Sequence, residues 1–379
     1  MSARESRRIG IDAHIVGAGK GGVERFLREM CLRLPVLFPQ HRFILFCNAQ
    51  AIADGTMPRG RNVEWAPLPF SNPLIERALV LPWLARRHRL DVLFVQRLAP
   101  WAMGRCRVAL AVHDLTPIKF PAQYRGLTNA LIRLTTASSV RRSQVVLTPA
   151  RAVSREVAAL SGEPPEKFHA YYNGVDGTRF HAARDGDEGD AGASTLRQLG
   201  LVAPFVFTSG ALERRKNVET MMRAMRHVPV ELCAQLVVAG GVRDAVYAAE
   251  LRRIAREEGL EQRVCMVGFV GENELAALYR SAALFVSASR DEGFNMPVLE
   301  AMASGVATVC SDIAVHRELF ERATRFFPAD DAVALGERLS SLLRDPSLRG
   351  ELIEAGERCT RRFTWDAAAR RVGAAFEAA

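Results

Sequence analysis

The 379-residue chain has no run of about 18 uncharged apolar residues, so no transmembrane helix is expected. No long apolar stretch follows Met1-Ser2-Ala3-Arg4-Glu5-Ser6-Arg7-Arg8, so no signal peptide is expected either. Cysteine is sparse, scattered and odd in number, at seven, and no C-x-x-C occurs. That pattern points to reduced thiols acting as small core residues, and to a cytoplasmic protein. Other absences exclude whole chemistries. No G-K-[ST] follows the glycine-rich loop, which rules out a Walker loop. No G-x-S-x-G elbow occurs. No His/Cys cluster has metal spacing and no D-x-D stands between strand and loop, so metal-dependent chemistry is disfavoured. No solenoid-type repeat is present.

What the chain does have is ordinary in amount and uneven in placement. Its length accommodates two domains at about 100–200 residues each. Hydrophobic residues make up 49% and charged residues 25%, as in soluble globular proteins. Residues 1–180 hold 26 basic and 13 acidic side chains, a net of +13, while residues 181–379 carry a net of −4. A basic N-terminal half can attract a membrane surface, a phosphorylated acceptor or nucleic acid. It can equally be an arginine-rich solvated surface.

Strand-like apolar runs alternate with helical stretches throughout. In the first half the strands fall at Ile9–Ile11, Phe43–Phe46, Val92–Val95, Val108–Val112 and Val145–Thr148. Helices are expected from about Val23, over Leu74–Arg89 and over Leu127–Arg142. The turn chemistry of Asn173-Gly174-Val175-Asp176 breaks the series, and the acidic, glycine-rich Asp185–Ser194 reads as a mobile loop. A second series follows, with strands at Phe205–Thr208, Leu236–Ala239, Val264–Val267, Leu284–Ser287 and Ala307–Cys310. Helices are expected between them at Val218–Arg226, Ala245–Glu258, Glu272–Ser281 and Val298–Ala303. This is an α/β chain of two Rossmann-like domains with parallel sheets, at residues 1–177 and 178–362. Ligands in such domains sit at the carboxyl ends of the strands, and a cleft between two domains can close by hinge motion. A final helix begins near Phe363, with Thr364 a suitable N-cap.

Four constellations carry chemistry. Gly17-Ala18-Gly19-Lys20-Gly21-Gly22 lies between the first strand and first helix, where small residues let backbone N–H groups approach an anion or sugar. His113 stands at the carboxyl end of the strand Val108–Val112. Ser209-Gly210-Ala211-Leu212-Glu213-Arg214-Arg215-Lys216-Asn217 follows the first strand of the second series; Arg215 offers a planar fork and Lys216 a point charge for a diphosphate. Last, Arg290-Asp291-Glu292-Gly293-Phe294-Asn295-Met296-Pro297-Val298-Leu299-Glu300 places two carboxylates around a helix start. Pro297 fits the first turn, and free N–H groups there favour phosphate. Glu292 sits in the loop and Glu300 about one turn inside, where a carboxylate can accept from a diol such as ribose. The arrangement suggests a nucleotide-sugar site.

In order along nearly the whole length, Gly21-Gly22-Val23-Glu24, His113-Asp114, Asn173-Gly174-Val175-Asp176, Gly210 with Arg215-Lys216-Asn217, Val267-Gly268-Phe269-Val270 and the E-x7-E from Glu292 to Glu300 resemble the retaining glycosyltransferases of family 4. The resemblance implies the GT-B fold, with two sheets facing an interdomain cleft and the last helix, 363–379, crossing back to the N-terminal domain. It implies an N-terminal acceptor domain and a C-terminal donor domain. Glu300 would bind ribose, Glu292 the donor sugar, and Arg215 and Lys216 the diphosphate. The loop with Phe269 would lie by the base. Gly21 and Gly22 would approach phosphate or acceptor, and His113 would position the sugar or the attacking hydroxyl. Gly210, Asn295, Met296 and Leu299 join the donor contacts. Family members often have glycine where Asn295 stands, so its amide is expected to meet the sugar. Ala211 replaces an arginine that some members carry, which shifts diphosphate binding onto Arg215 and Lys216.

The reaction expected is retaining hexosyl transfer, with no metal and no other cofactor. The donor would be a GDP- or UDP-hexose, with GDP-mannose favoured by the resemblance of His113-Asp114-Leu115-Thr116-Pro117 and the E-x7-E segment to mannosyltransferases of surface-polysaccharide assembly. The acceptor would be a glycan or a lipid-linked glycan at the inner membrane face. Pro73–Leu90 is apolar and basic, compatible with interfacial contact or with a helix packed on the sheet. Two other classes stay open. A GT-B-fold epimerase would bind a similar nucleotide sugar, although the E-x7-E argues against it. A nucleic-acid-binding protein would explain the basic half, but it lacks aromatic interleaving and any binding motif.

Overall fold

The computed structural model describes residues 6–17, 19, 21–47, 58–68, 75–120, 126–183, 189–233 and 235–379. The chain divides into two units, Met1–Gly174 with Trp365–Ala379, and Val175–Thr364. The break between them falls within the Asn173–Asp176 turn, and the last helix, Trp365–Ala378, starts directly after Thr364. That helix belongs to unit 1, where Phe376 packs its ring 5.3 Å from Phe94.

Among the described residues unit 1 has seven strands: β1 Arg8–Asp12, β2 Arg42–Cys47, β3 Val63–Pro67, β4 Val92–Gln96, β5 Arg107–Ala111, β6 Val145–Thr148 and β7 Phe168–Ala170. All pair in parallel, in the order β3-β2-β1-β4-β5-β6-β7. Unit 2 has six: β8 Phe205–Ser209, β9 Gln235–Ala239, β10 Val264–Gly268, β11 Leu284–Ser287, β12 Thr308–Ser311 and β13 Arg325–Phe327. They too are parallel, in the order β10-β9-β8-β11-β12-β13. Parallel strands covered on both faces read as unbroken apolar runs, which is why β2 and β4 stand out in the sequence. Phe43, Ile44, Leu45 and Phe46 are all fully buried. The strands that escaped the sequence pattern, β3, β7 and β13, all lie at sheet edges. Their half-exposed residues mix polar with apolar, and β3 tolerates Pro67 because an edge strand has no second neighbour.

Each sheet reverses strand order once, between β1 and β4 in unit 1 and between β8 and β11 in unit 2. Such switch points leave a crevice beyond the strand ends, where ligands bind in sheets of this kind. The sequence pattern needs one correction. The expected loop Asp185–Ser194 is helical from Gly189, within a helix that runs to Leu199. This helix packs on helix Glu272–Ser281 and buries Thr195, so tertiary contact overrides the glycines; residues 185–188 lie outside the described residues. The helix expected at Leu74–Arg89 opens as a wide π-turn, Glu76–Val80, before continuing as Leu81–Arg87; Pro73 and Leu74 lie outside the described residues. No helix among the described residues is long and apolar enough to cross a membrane.

Candidate active site

In unit 2 the loops that leave β8 and β11 meet at the switch point. Gly210 follows β8 with φ 135°, a conformation open to glycine. A Cβ at Gly210 would stand 3.3 Å from Cε of Lys216, so the bare backbone makes room for the lysine to pass. Arg214–Lys216 form a single 3₁₀ turn, and Asn217 ends it in the left-handed region at φ 55°. The Asn217 side chain clamps the turn: Nδ2 donates to Ala329 O at 2.6 Å and Ala288 O at 3.2 Å. The turn therefore projects Arg215 and Lys216 toward the loop after β11.

There they meet Glu292. Its Oε2 accepts from Arg215 Nη1 at 2.7 Å, and its Oε1 accepts from Lys216 Nζ at 2.6 Å and from Ser289 Oγ at 2.8 Å. Arg215 Nη1 also donates to Asp291 O at 3.1 Å, and its Nη2 pairs with Glu213 Oε1 at 2.7 Å. Burial by itself would push the Glu292 carboxyl up, but Arg215, Lys216 and the two side-chain donors outweigh it and hold it far below the usual carboxylate range. Burial pulls the Lys216 ammonium down; Glu292 opposes that pull and Arg215 adds to it. Glu292 is thus ionised and accepts hydrogen bonds only, which suits it to hydroxyl groups and excludes it as a proton donor.

The chain then enters the second acid's helix. Asn295 sits at φ 73° and helix Met296–Ala303 begins directly after it, with Pro297 in its first turn. The positive end of its dipole favours an anion. Glu300 lies one turn in and accepts from Tyr279 O–H at 3.0 Å; that hydroxyl also meets Ser209 Oγ at 2.7 Å, tying Glu300 to the end of β8. Phe269 projects into solvent beyond β10, 84% exposed.

In unit 1, Gly21 takes φ 67° with open space where a Cβ would be, and helix Gly22–Leu37 starts beyond it. Glu24 reaches back, its Oε1 accepting from Gly17 N at 2.8 Å. Ala18 and Lys20 lie outside the described residues. His113, beyond β5, has partners on both ring nitrogens: Tyr171 Oη at 2.8 Å from Nδ1 and Gln96 Oε1 at 2.7 Å from Nε2. These fix the tautomer, with Nε2–H donating to Gln96 and Nδ1 accepting from Tyr171. Burial pulls the imidazole down to about 4, so it is neutral at pH 7.

Residues 20–179 match the family model for Glycosyltransferase Family 4, and residues 199–358 match that for glycosyl transferases group 1. The chain belongs to the family 4, group 1 glycosyltransferases. The chain is 28% identical to the D-inositol 3-phosphate glycosyltransferase of Xylanimonas cellulosilytica over 235 residues, 61% of this chain and 56% of that protein. It is 26% identical to the O-antigen chain mannosyltransferase RfbU of Salmonella typhimurium over 222 residues, 59% of this chain and 57% of that one. The chain thus spans a little over half the length of these curated relatives. Among solved structures, Anabaena HepE in complex with UDP and glucose matches with a TM-score of 0.76 and 18% identity over 99% of this chain and 100% of that one. The lipopolysaccharide-biosynthesis glycosyltransferase WaaG matches with a TM-score of 0.70 and 14% identity, covering 97% of this chain and 98% of that one. These likenesses show the GT-B fold.

The fold brings Gly210, Arg215, Lys216 and Glu292 together, and four further observations bear on the other site residues. Asn295 does not aim its amide nitrogen at open space: Nδ2 lies 2.8 Å from Ser287 Oγ and 2.8 Å from Nε2 of buried His316. The left-handed backbone turns this side chain inward, and it is that backbone which suits glycine or asparagine. Leu299 is buried, because helical periodicity turns it into the unit 2 core; Met296, in the first turn, keeps a partly exposed side chain. His113 is held through both nitrogens by protein groups. Finally, three potential metal ligands do converge, Asp12, His14 and Glu76 in unit 1. Glu76 is too far along the chain for any spacing rule to link it to His14. Sequence reasoning also missed Ser289, Tyr279 and His316, which bond to site residues without belonging to any motif.

Proposed function

We propose that this chain is a retaining, metal-independent glycosyltransferase that moves a hexose from a nucleotide-diphosphate sugar to an acceptor hydroxyl. The observation that carries the reading is Glu292 held between Arg215 and Lys216 at the unit 2 switch point, beside the start of helix Met296–Ala303. Arg215 and Lys216 supply fixed positive charge where a leaving diphosphate develops negative charge, and preorganised charge of this kind is a major catalytic term. Glu292, being ionised, accepts hydrogen bonds from sugar hydroxyls and orients the donor. Glu300 takes the ribose hydroxyls and Phe269 the base. The anomeric carbon becomes oxocarbenium-like, the C–O bond to the diphosphate breaks, and the acceptor oxygen attacks from the same face. The departing phosphate oxygen takes its proton. Neutral His113, oriented by Gln96 and Tyr171, keeps the proposed role of positioning the sugar or the attacking hydroxyl.

Mannose on GDP is the favoured donor, since RfbU is a mannosyltransferase; UDP-glucose is the rival, since HepE was solved with UDP and glucose. The acceptor is a glycan or lipid-linked glycan of the cell surface, met at the cytoplasmic face of the membrane. Ile75, Leu79 and Trp83 recur every fourth residue along one helical stretch and are 43%, 67% and 52% exposed, with Arg86 and Arg87 exposed at its end. An apolar stripe beside basic residues suits an anionic lipid surface. A thermal-shift panel of GDP, UDP, ADP and their sugars tests the donor. A shift with GDP and GDP-mannose alone is expected, and no shift with any nucleotide sinks the reading.

A further inference from the structure

The unit 1 switch point holds a second cluster that the proposed reaction leaves unused. Asp12 closes β1, His14 stands in the turn beyond it, and Glu76 opens the π-turn Glu76–Val80. His14 Nδ1 lies 2.6 Å from Asp12 Oδ1 and 3.7 Å from Glu76 Oε1. One ligand atom from each residue lies within 4.8 Å of the other two. Asp12 and Glu76 are buried, yet Asp12 Oδ2 and Glu76 Oε1 have no hydrogen-bond partner. Buried carboxylate oxygens are costly unless hydrogen-bonded or bound to a cation. The next side chain, Arg77, donates to Gln96 O at 3.4 Å. Local π-turns in helices recur at functional sites, and this one presents Glu76 to the cluster.

We propose that Asp12, His14 and Glu76 bind a divalent transition-metal cation of the Zn²⁺ or Mn²⁺ type. Two carboxylates and one imidazole form a donor set of intermediate hardness, which suits these ions better than Mg²⁺ or Ca²⁺. Donors about 2.1 Å from one ion stand roughly 3–3.5 Å apart, and the two spacings from His14 Nδ1 bracket that range. Small side-chain rotations close the set. His14, 26% exposed, opens the cluster to solvent. Three protein ligands leave at least one coordination position for water or for an oxygen of the acceptor. The ligands all belong to unit 1, and the chemistry proposed at Arg215 and Lys216 proceeds without them.

The test titrates the untagged 379-residue chain, stripped with chelator and dialysed, with Co²⁺, followed by visible absorption. Zn²⁺, Mn²⁺ and Mg²⁺ are then tried as competitors. One Co²⁺ per chain is expected, displaced by Zn²⁺ and not by equimolar Mg²⁺. His14→Ala and Glu76→Gln should each weaken binding by at least about tenfold, the loss seen even for residues that only support a ligand. His14 is partly exposed and Glu76→Gln keeps the side-chain shape, so thermal melts can confirm that both variants fold. Absence of Co²⁺ binding by the parent chain overturns the proposal. Binding that survives in a folded variant also overturns it, because eight histidines and seven cysteines offer other donors. Neither result bears on the donor site, which the nucleotide panel reads separately.

Discussion

The two switch points share a topology and differ in how their charges are met. At β8/β11 the acid Glu292 already has its counter-charges, since Arg215 and Lys216 reach it across one loop contact. At β1/β4 two buried carboxylates face His14, with Arg77 acting on Glu76, and Asp12 Oδ2 and Glu76 Oε1 accept no hydrogen bond, while the neighbouring His113 is neutral and fully bonded. Identical scaffolding thus carries a self-compensated site in one unit and an under-compensated one in the other. Fold alone therefore says little about chemistry, and the loop residues say most.

The sharpest way to break this contrast is to remove the compensation. Glu292→Ala leaves Arg215 with Glu213 and takes from Lys216 its hydrogen-bonded carboxylate in a largely buried site, and a loss of about 3 kcal/mol in urea-unfolding stability is expected. A loss below about 1 kcal/mol would mean that the unit 2 site is not self-compensated. Lys216→Ala leaves Arg215 on Glu292 and should keep the fold by circular dichroism. Its turnover should fall about 100- to 1,000-fold, as when one preorganised donor to a developing anion is lost. Near-parental turnover would falsify the diphosphate role.

Acid sharpens the comparison further, because each unit hides a neutral histidine. Burial pulls both His316 and His113 down to about 4. An unfolded histidine titrates near 6.5, so between about pH 6.5 and 4 the unfolded chain binds a proton that the folded chain refuses. Stability is unaffected by these groups above that window and falls through it on acidification, by about 3 kcal/mol for fully buried His316. Glu292 acts lower, with its contribution present above the ordinary carboxylate pKa of about 4.3 and lost as pH falls further. His316→Gln should flatten the stability slope between pH 6.5 and 4, and an unchanged slope counts against a buried neutral imidazole. Asn295→Gly keeps the left-handed backbone and removes the bond to Ser287. It should cost about 1–2 kcal/mol and leave donor preference unchanged; a switch in the preferred sugar would restore the amide to the donor. The smallest effect on stability belongs to Trp83→Ala, within about 0.5 kcal/mol, combined with weaker flotation on anionic liposomes. Equal flotation removes the lipid-facing role of that helix.

Much of the site was legible in the sequence because its parts are local. Gly210, Arg215 and Lys216 fall within one loop, and Glu292 and Glu300 flank one helix start. The contact between those segments was not legible, since Glu292 and Lys216 are joined by strand order rather than by spacing. Ser289, Tyr279 and His316 stayed hidden for the same reason: each acts through a partner on another element. The helix beginning at Gly189 shows the limit of composition, for glycine and acid content predict a loop until helix Glu272–Ser281 offers a surface to cover.

The sequence by itself determined the alternation of buried strands and helices, the division into two units and the loops that carry charge, because periodicity and turn chemistry are written residue by residue. Only the tertiary structure decided which charges meet, where the Asn295 amide points, and that Glu76 joins Asp12 and His14. Those are long-range pairings, set by strand order and packing, and no local pattern encodes them.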